Sequence, residues 1–164
     1  SQTEAVFKAE YHDRADALGM SMDEIITLAS MIEKEAKTAD FAKVSAVFHN
    51  RLKKGMTLGS DVTVKYASGV KRMALTNEDL SVSSPYNTYR NKGLPIGPIC
   101  SPSAAAIYAA LYPDEQFVSE EYLYFCSKDP STGELHFSRT LEEHNQAVSI
   151  YAPLWQAYDK EQGL

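Results

Sequence analysis

The stretch Ser21-Met-Asp-Glu-Ile-Ile-Thr-Leu-Ala-Ser-Met-Ile-Glu-Lys-Glu35 decides how this chain folds. Ser21 followed three residues later by Glu24 is a capping-box pattern, in which each side chain satisfies the other residue's free backbone N–H. Behind it, Ile25, Leu28, Ala29, Ile32 and Ala36 recur at three- and four-residue spacing. At 100° per residue they share one face, so the stretch reads as an amphipathic helix running through about Lys37. On its N-terminal side, Glu4 to Leu18 reads as another helix closed by Gly19. On its C-terminal side a third helix is predicted from about Asp40 to Lys54. Phe41, Val44, Val47, Phe48 and Leu52 face inward along it, and Gly55 ends it.

Residues 56–102 change character. Gly59, Gly69, Pro85, Gly93, Pro95, Gly97, Pro98 and Pro102 interrupt them, and short helices are expected only at Asp61 and Thr76. The segment is rich in Tyr, Leu, Met and Val, so it is read as an ordered loop region that packs down and lines something. Pro102 is expected in the first turn of a helix ending at Leu111. Glu121 to Ser127 and Glu134 to Ser138 read as two strands joined by the turn Asp129-Pro-Ser-Thr-Gly133. Thr140 with Glu143 is a second capping box. It opens a final helix carrying Leu141, Val148, Tyr151, Leu154, Trp155 and Tyr158. The expected class is α+β, helix-dominated, with a small antiparallel hairpin and a long ordered loop region.

Composition bounds the function. The chain has 164 residues, enough for one domain with a real core, and 44% of them are hydrophobic. The balance of 16 Lys+Arg against 22 Asp+Glu gives a net charge of −6, which argues against nucleic-acid binding. No apolar run has the length of a membrane span, and the N-terminal residues lack a signal-peptide pattern. An anchor or export signal is therefore expected outside this chain. Cys100 and Cys126 allow at most one disulfide and read as two small buried residues.

Four clusters carry groups suited to chemistry. In Glu33-Lys-Glu35 both carboxylates flank the apolar stripe, Glu35 about 20° from Leu28 and Glu33 about 40° from Ala29 in projection. A carboxylate at the edge of an apolar face is partly desolvated and suits general acid catalysis. The same pattern also describes an ordinary solvated helix face, and geometry does not choose between the two glutamates. Asn50, Arg51 and Asp61 can hydrogen-bond a polar ligand, although Asp61 also suits a helix cap and Arg51 a surface position. Tyr86-Asn-Thr-Tyr89 places aromatic faces beside amides and hydroxyls, a combination suited to sugars and equally to a rigid packed loop. His136-Phe-Ser138 with His144-Asn145 matches no zinc spacing and no nucleophile elbow, so its histidines read as positioning or structural groups. No phosphate-binding or dinucleotide fingerprint occurs.

The order of these blocks is more specific than any one of them. Ala29-Ser-Met-Ile-Glu-Lys-Glu35 is followed by Val47-Phe-His-Asn-Arg-Leu52, then Gly55-Met56, Leu58, Ser60-Asp61, Thr63-Val64 and Tyr66. Next come Tyr86-Asn-Thr-Tyr89, Gly93-Leu-Pro95, Gly97-Pro-Ile99 and Pro102. Tyr122-Leu-Tyr-Phe125, His136-Phe-Ser138, Thr140 and Glu143-His-Asn145 close the series. In register from about Ile25 to Val148, the chain resembles the YceG-like family of endolytic murein transglycosylases. It departs from the family pattern at Gly59, often Gln, and at Val62, Ile96, Ala36 and Ser103. The glycine removes any substrate contact made by a side chain at position 59.

The resemblance implies a single catalytic domain over residues 1–164. In the full-length protein a membrane anchor and a LysM-like subdomain would precede it, at the extracytoplasmic face of the cytoplasmic membrane, while this part alone would be soluble. It implies internal cleavage of peptidoglycan glycan strands at the β-1,4 bond between N-acetylmuramic acid and N-acetylglucosamine, leaving 1,6-anhydro ends. The family's catalytic glutamate falls on Glu35. Glu33, Asn50, Ser60, Asp61, Tyr86, Asn87, Tyr89, His136 and Asn145 are carried over as groove residues. The expected chemistry calls for no metal or organic cofactor, and the expected partners are glycan strands and, by family, peptidoglycan synthases. Two other readings stand beside this one. The first is a hydrolase with Asp61 activating water, and the second is a non-catalytic glycan-binding module.

Overall fold

The computed structural model describes residues 2–164, with side chains from residue 8 onward. Three helices open the chain: α1 (Gln2–Ala17), α2 (Met22–Glu35) and α3 (Phe41–Lys54), with a 3-10 turn at Thr38–Asp40 before α3. The capping box forms as expected. Glu24 N–H donates to the Ser21 hydroxyl at 3.1 Å, and Ser21 N–H donates to the Glu24 carboxylate at 3.0 Å. α2 ends two residues earlier than the periodicity predicts, because Ala36 turns extended at φ −145°. Glu35 is thereby the last helical residue. Gly55 ends α3 in the left-handed conformation, at φ 70°.

α2 is the centre of the core. Ile25, Leu28, Ala29, Met31 and Ile32 expose no surface, and each fully buried large side chain contributes about 1.5–3 kcal/mol. Helix α6 (Ala104–Leu111) packs along it, its small Ala106, Ala109 and Ala110 allowing close approach. Ser103 caps α6 through its hydroxyl, so Pro102 stands just before the cap and not in the first turn. Phe41, Val44 and Phe48 of α3 complete the same cluster. Of the cysteines, Cys126 is buried, Cys100 is half-buried, and both are free.

The two strands are β1 (Tyr124–Asp129) and β2 (Glu134–Ser138), antiparallel, with Tyr124 opposite Ser138 and Cys126 opposite His136. β1 starts three residues later than expected. A helix that the sequence reading missed, α7 (Glu115–Ser119), is capped by Asp114, and Glu121 then turns the chain at φ 58°. Strand alternation turns Phe125 and Phe137 toward Phe48 and Phe117. It turns Tyr124 and His136 toward His144 and Tyr151 of the last helix, α8 (Leu141–Glu161). Thr140 caps α8, but the Glu143 carboxylate accepts from Arg139 N–H at 3.2 Å, so the reciprocal half of the expected box is missing. Leu141 and Leu154, counted with the apolar residues of this helix, are exposed.

Residues 56–102 are ordered, as their composition predicts. They carry α4 (Asp61–Ser68) and α5 (Asn77–Leu80) and are pinned by polar side chains. The buried Asp159 carboxylate of α8 accepts from Met73 N–H at 2.8 Å and Ala74 N–H at 2.9 Å. Ser30 of α2 accepts from Ile99 N–H at 3.0 Å. Among the described residues, no helix is long and apolar enough to cross a membrane.

Candidate active site

The loop 57–60 that feeds α4 runs beside the C-terminal end of α2. A buried hydroxyl network fixes it there. Ser60 N–H donates to Thr88 Oγ1 at 2.8 Å, Thr63 Oγ1 donates to the Ser60 carbonyl at 2.7 Å, and the two threonine hydroxyls meet at 2.9 Å. Gly59 N–H donates to the Thr88 carbonyl at 3.2 Å. These bonds tie residues 59–63 to Thr88 and so hold Asp61 next to Tyr89.

Glu35 faces this pair. It keeps some solvent-accessible surface, yet dense protein around its carboxyl pushes its pKa to about 8, through desolvation first and the charge of Asp61 second. Its place at a helix C-terminus acts in the same direction, since the dipole there disfavours an anion. The ammonium of Lys65, the Val62 N–H at the start of α4 and the Ser60 hydroxyl oppose the shift without cancelling it. Ser60 Oγ is buried and has no partner of ordinary hydrogen-bond geometry. The result is a carboxylic acid that holds its proton at neutral pH in a partly open site, as a general acid requires.

Asp61 is also raised by burial, but the Tyr89 hydroxyl donates to its carboxylate and Lys65 attracts its anion. Burial and the two neighbouring carboxyls push the Tyr89 phenol well above its ordinary range, so it remains a donor. Arg51 braces the far side. Its Nε donates to the Leu123 carbonyl at 2.7 Å and its Nη1 to the Thr57 carbonyl at 2.8 Å, and its guanidinium lies 4.9 Å from the Tyr124 ring centre. Gly59 sits between Arg51 and Tyr89 at φ 54°. A Cβ there would meet Arg51 Nη1 at 3.4 Å and the Tyr89 ring at 3.5 Å, ordinary contact distances, so it is the backbone conformation that favours glycine.

The other predicted groove residues divide. Glu33 turns away from Glu35 and accepts from Ser103 N–H at 2.7 Å, ahead of α6. Asn50 is buried and donates to the Phe117 and Tyr122 carbonyls. Asn87 is fully buried, donates to the Leu80 and Val82 carbonyls and accepts from Tyr89 N–H. Both amide nitrogens are spent on backbone carbonyls, and Asn87 spends its oxygen on a backbone N–H as well. Tyr86 meets Tyr66 edge to face, with ring centres 4.8 Å apart. His136 packs against Tyr151 between the hairpin and α8. Asn145 lies exposed on α8 in a shallow depression with Leu141 and Gln146. The structure thus brings Glu35, Ser60, Asp61 and Tyr89 together. It adds Lys65, which the sequence reading passed over although it stands one helical turn after Asp61. A cleft of about 720 Å³ opens elsewhere, between the end of α1, α3 and Leu94, and does not include Glu35.

The chain is similar to several known proteins. An endolytic murein transglycosylase of Bacillus subtilis (strain 168) is 46% identical over 133 residues, which are 80% of this chain and 35% of that protein. One from Streptococcus pneumoniae serotype 2 is 33% identical over 145 residues, 85% of this chain and 25% of that protein. The chain thus spans about a third or less of the curated relatives it matches. The crystal structure of a yceG-like protein from Listeria monocytogenes superposes with a TM-score of 0.74 at 44% identity, covering 88% of this chain and 46% of that one. Residues 1–150 match the YceG-like family as a whole, the stretch that contains α2, the Ser60–Asp61 loop, the Tyr89 loop and the hairpin, and the chain belongs to that family.

Proposed function

We propose that this chain is the catalytic part of an endolytic murein transglycosylase, cutting the N-acetylmuramic acid–N-acetylglucosamine β-1,4 bond within glycan strands. The observation that carries this reading is Glu35, an acid kept protonated near neutrality by burial and by Asp61 at the edge of an open site. Protonated Glu35 donates to the leaving glycosidic oxygen as oxocarbenium character develops at C1. The carboxylate so formed takes the proton from the muramic C6 hydroxyl, whose oxygen closes on C1. The glycosidic C–O bond breaks, a 1,6-anhydro C–O bond forms, and no water is consumed. Tyr89 and Asp61 border the sugar at the acid. In the full-length protein an anchor and a LysM-like subdomain precede this part on the extracytoplasmic side of the membrane, where peptidoglycan synthases are its working partners.

The nearness of Asp61 to Glu35 favours one second reading. A carboxylate beside the acid is positioned to activate water, which makes the same cleavage a hydrolysis. Mass spectrometry of products from uncrosslinked strands separates the two, because hydrolysis adds one water per cleaved bond, at the new reducing end. Anhydro ends from the wild type and from Glu33→Gln, absent with Glu35→Gln, are the expected result. Hydrated reducing ends would assign the chain to the hydrolases, and unchanged turnover in Glu35→Gln would remove the glutamate from the mechanism.

A further inference from the structure

This inference rests on the proposed function and names the form of strand the site takes. Lys65 stands four residues after Asp61 on α4, hence on the same helix face. Its ammonium acts through space on both Glu35 and Asp61. It nevertheless stays outside the 4.0 Å ion-pair distance of either carboxylate, and among the described residues it makes no ion pair and no side-chain hydrogen bond. Glu35 holds its proton and offers little charge, while Asp61 is engaged by the Tyr89 hydroxyl. A half-buried cation beside the carboxyls of the site thus has no direct ion-pair partner, and an anionic substituent on the substrate would supply one.

The chemistry of the strand supplies one. Each muramic residue carries a lactyl ether on C3, two bonds from the C1 that reacts. Its carboxyl is ionised when no stem peptide is attached, and is a neutral amide when one is. The carboxylates of a stem peptide lie at least one flexible amino acid further from the scissile bond. We propose that Lys65 binds the free lactyl carboxylate of the muramic residue seated at Glu35, so that the site prefers strands stripped of their stem peptides.

Binding to the Glu35→Gln protein tests this without turnover, by calorimetry on three uncrosslinked strand preparations. They are peptide-free strands, the same strands with the lactyl carboxyl converted to its methylamide, and peptide-bearing strands. The expected result is about fivefold tighter binding of the free carboxylate than of the methylamide, as suits a partly exposed ion pair. Adding Lys65→Gln should erase that preference, and Lys65→Arg should keep most of it. Equal affinity for carboxylate and methylamide, or a preference that survives Lys65→Gln, would overturn the proposal. So would a loss confined to peptide-bearing strands, which would give the contact to a stem-peptide carboxylate. Failure of the wild type to cut any strand would refute the proposed reaction while leaving this binding comparison decisive on its own.

Discussion

Asp61→Asn removes a negative charge from beside Glu35 while keeping the side chain's size and its ability to accept from Tyr89. Glu35 stands at about 8 against an ordinary 4.5, and the charge of Asp61 is the second contributor after burial. A unit charge about 6 Å away at an effective dielectric of about 20–40 is worth about 1.4–2.8 kcal/mol, which is about one to two pH units. The sign follows from the working form. The proposed mechanism needs protonated Glu35, so on that reading activity falls on the alkaline side as the proton is lost. Taking away a repelling anion makes the proton easier to lose. The alkaline limb of kcat/KM for strand cleavage should therefore move from near pH 8 to about pH 6–7, while cleavage at pH 5–6 persists. An alkaline limb that stays in place or moves upward would refute the electrostatic account of Glu35. Loss of turnover at every pH would instead show that Asp61 takes part in the chemistry itself, as hydrolysis requires.

The same acid shapes stability. Because its folded pKa lies above its unfolded one, unfolding releases a proton between about pH 4.5 and pH 8, and stability falls across that window as pH rises. Glu35→Gln removes this cost. With allowance for its partial exposure, the variant should gain about 2 kcal/mol at pH 8, melting about 4–8 °C above the wild type, with the gap closing by pH 5. Equal melting temperatures at pH 8 would contradict the desolvation of Glu35. Asn87→Ala strands the Leu80 and Val82 carbonyls and the Tyr89 N–H. It should cost about 2–4 kcal/mol in denaturant unfolding and lower cleavage by loosening the Tyr89 loop, whereas a cost below 1 kcal/mol would show that water replaces the amide.

Local signals made the helices legible. The Ser21–Glu24 box, the stripe from Ile25 to Ile32 and Gly55 mark α2 and α3 through caps and periodicity alone, which depend on near neighbours. The tract from Glu115 to Ser119 was not legible in that way. A five-residue helix has too few turns to show a period, and only the Asp114 cap announced it. Glu33 and Glu35 flank the same apolar stripe in the sequence and differ only in what long-range packing brings to them. Ser103 N–H meets the one, and the Ser60–Asp61 loop meets the other. Asn50 and Asn87 show the opposite confusion. An amide suited to a sugar hydroxyl is equally suited to a buried carbonyl, and only the fold reveals which it meets. Lys65 escaped notice because a lysine on a short helix carries no motif, and its meaning comes from Asp61 one turn before it and from Glu35 on α2.

The pairing of Asp159 with the backbone of Met73 and Ala74 bears on the order in which the molecule comes together. These hydrogen bonds close loops of 86 and 85 residues, and contacts of such separation form late because their closure entropy must first be met. α2 and α3 are neighbours in sequence, so the contact between them carries no such delay, while the packing of α6 on α2 closes a longer loop. Folding is then expected to proceed from α2 and α3 outward. The segment between α4 and α5 gains its anchor only after α8 has docked, so a refolding chain acquires its helical signal before that segment is fixed.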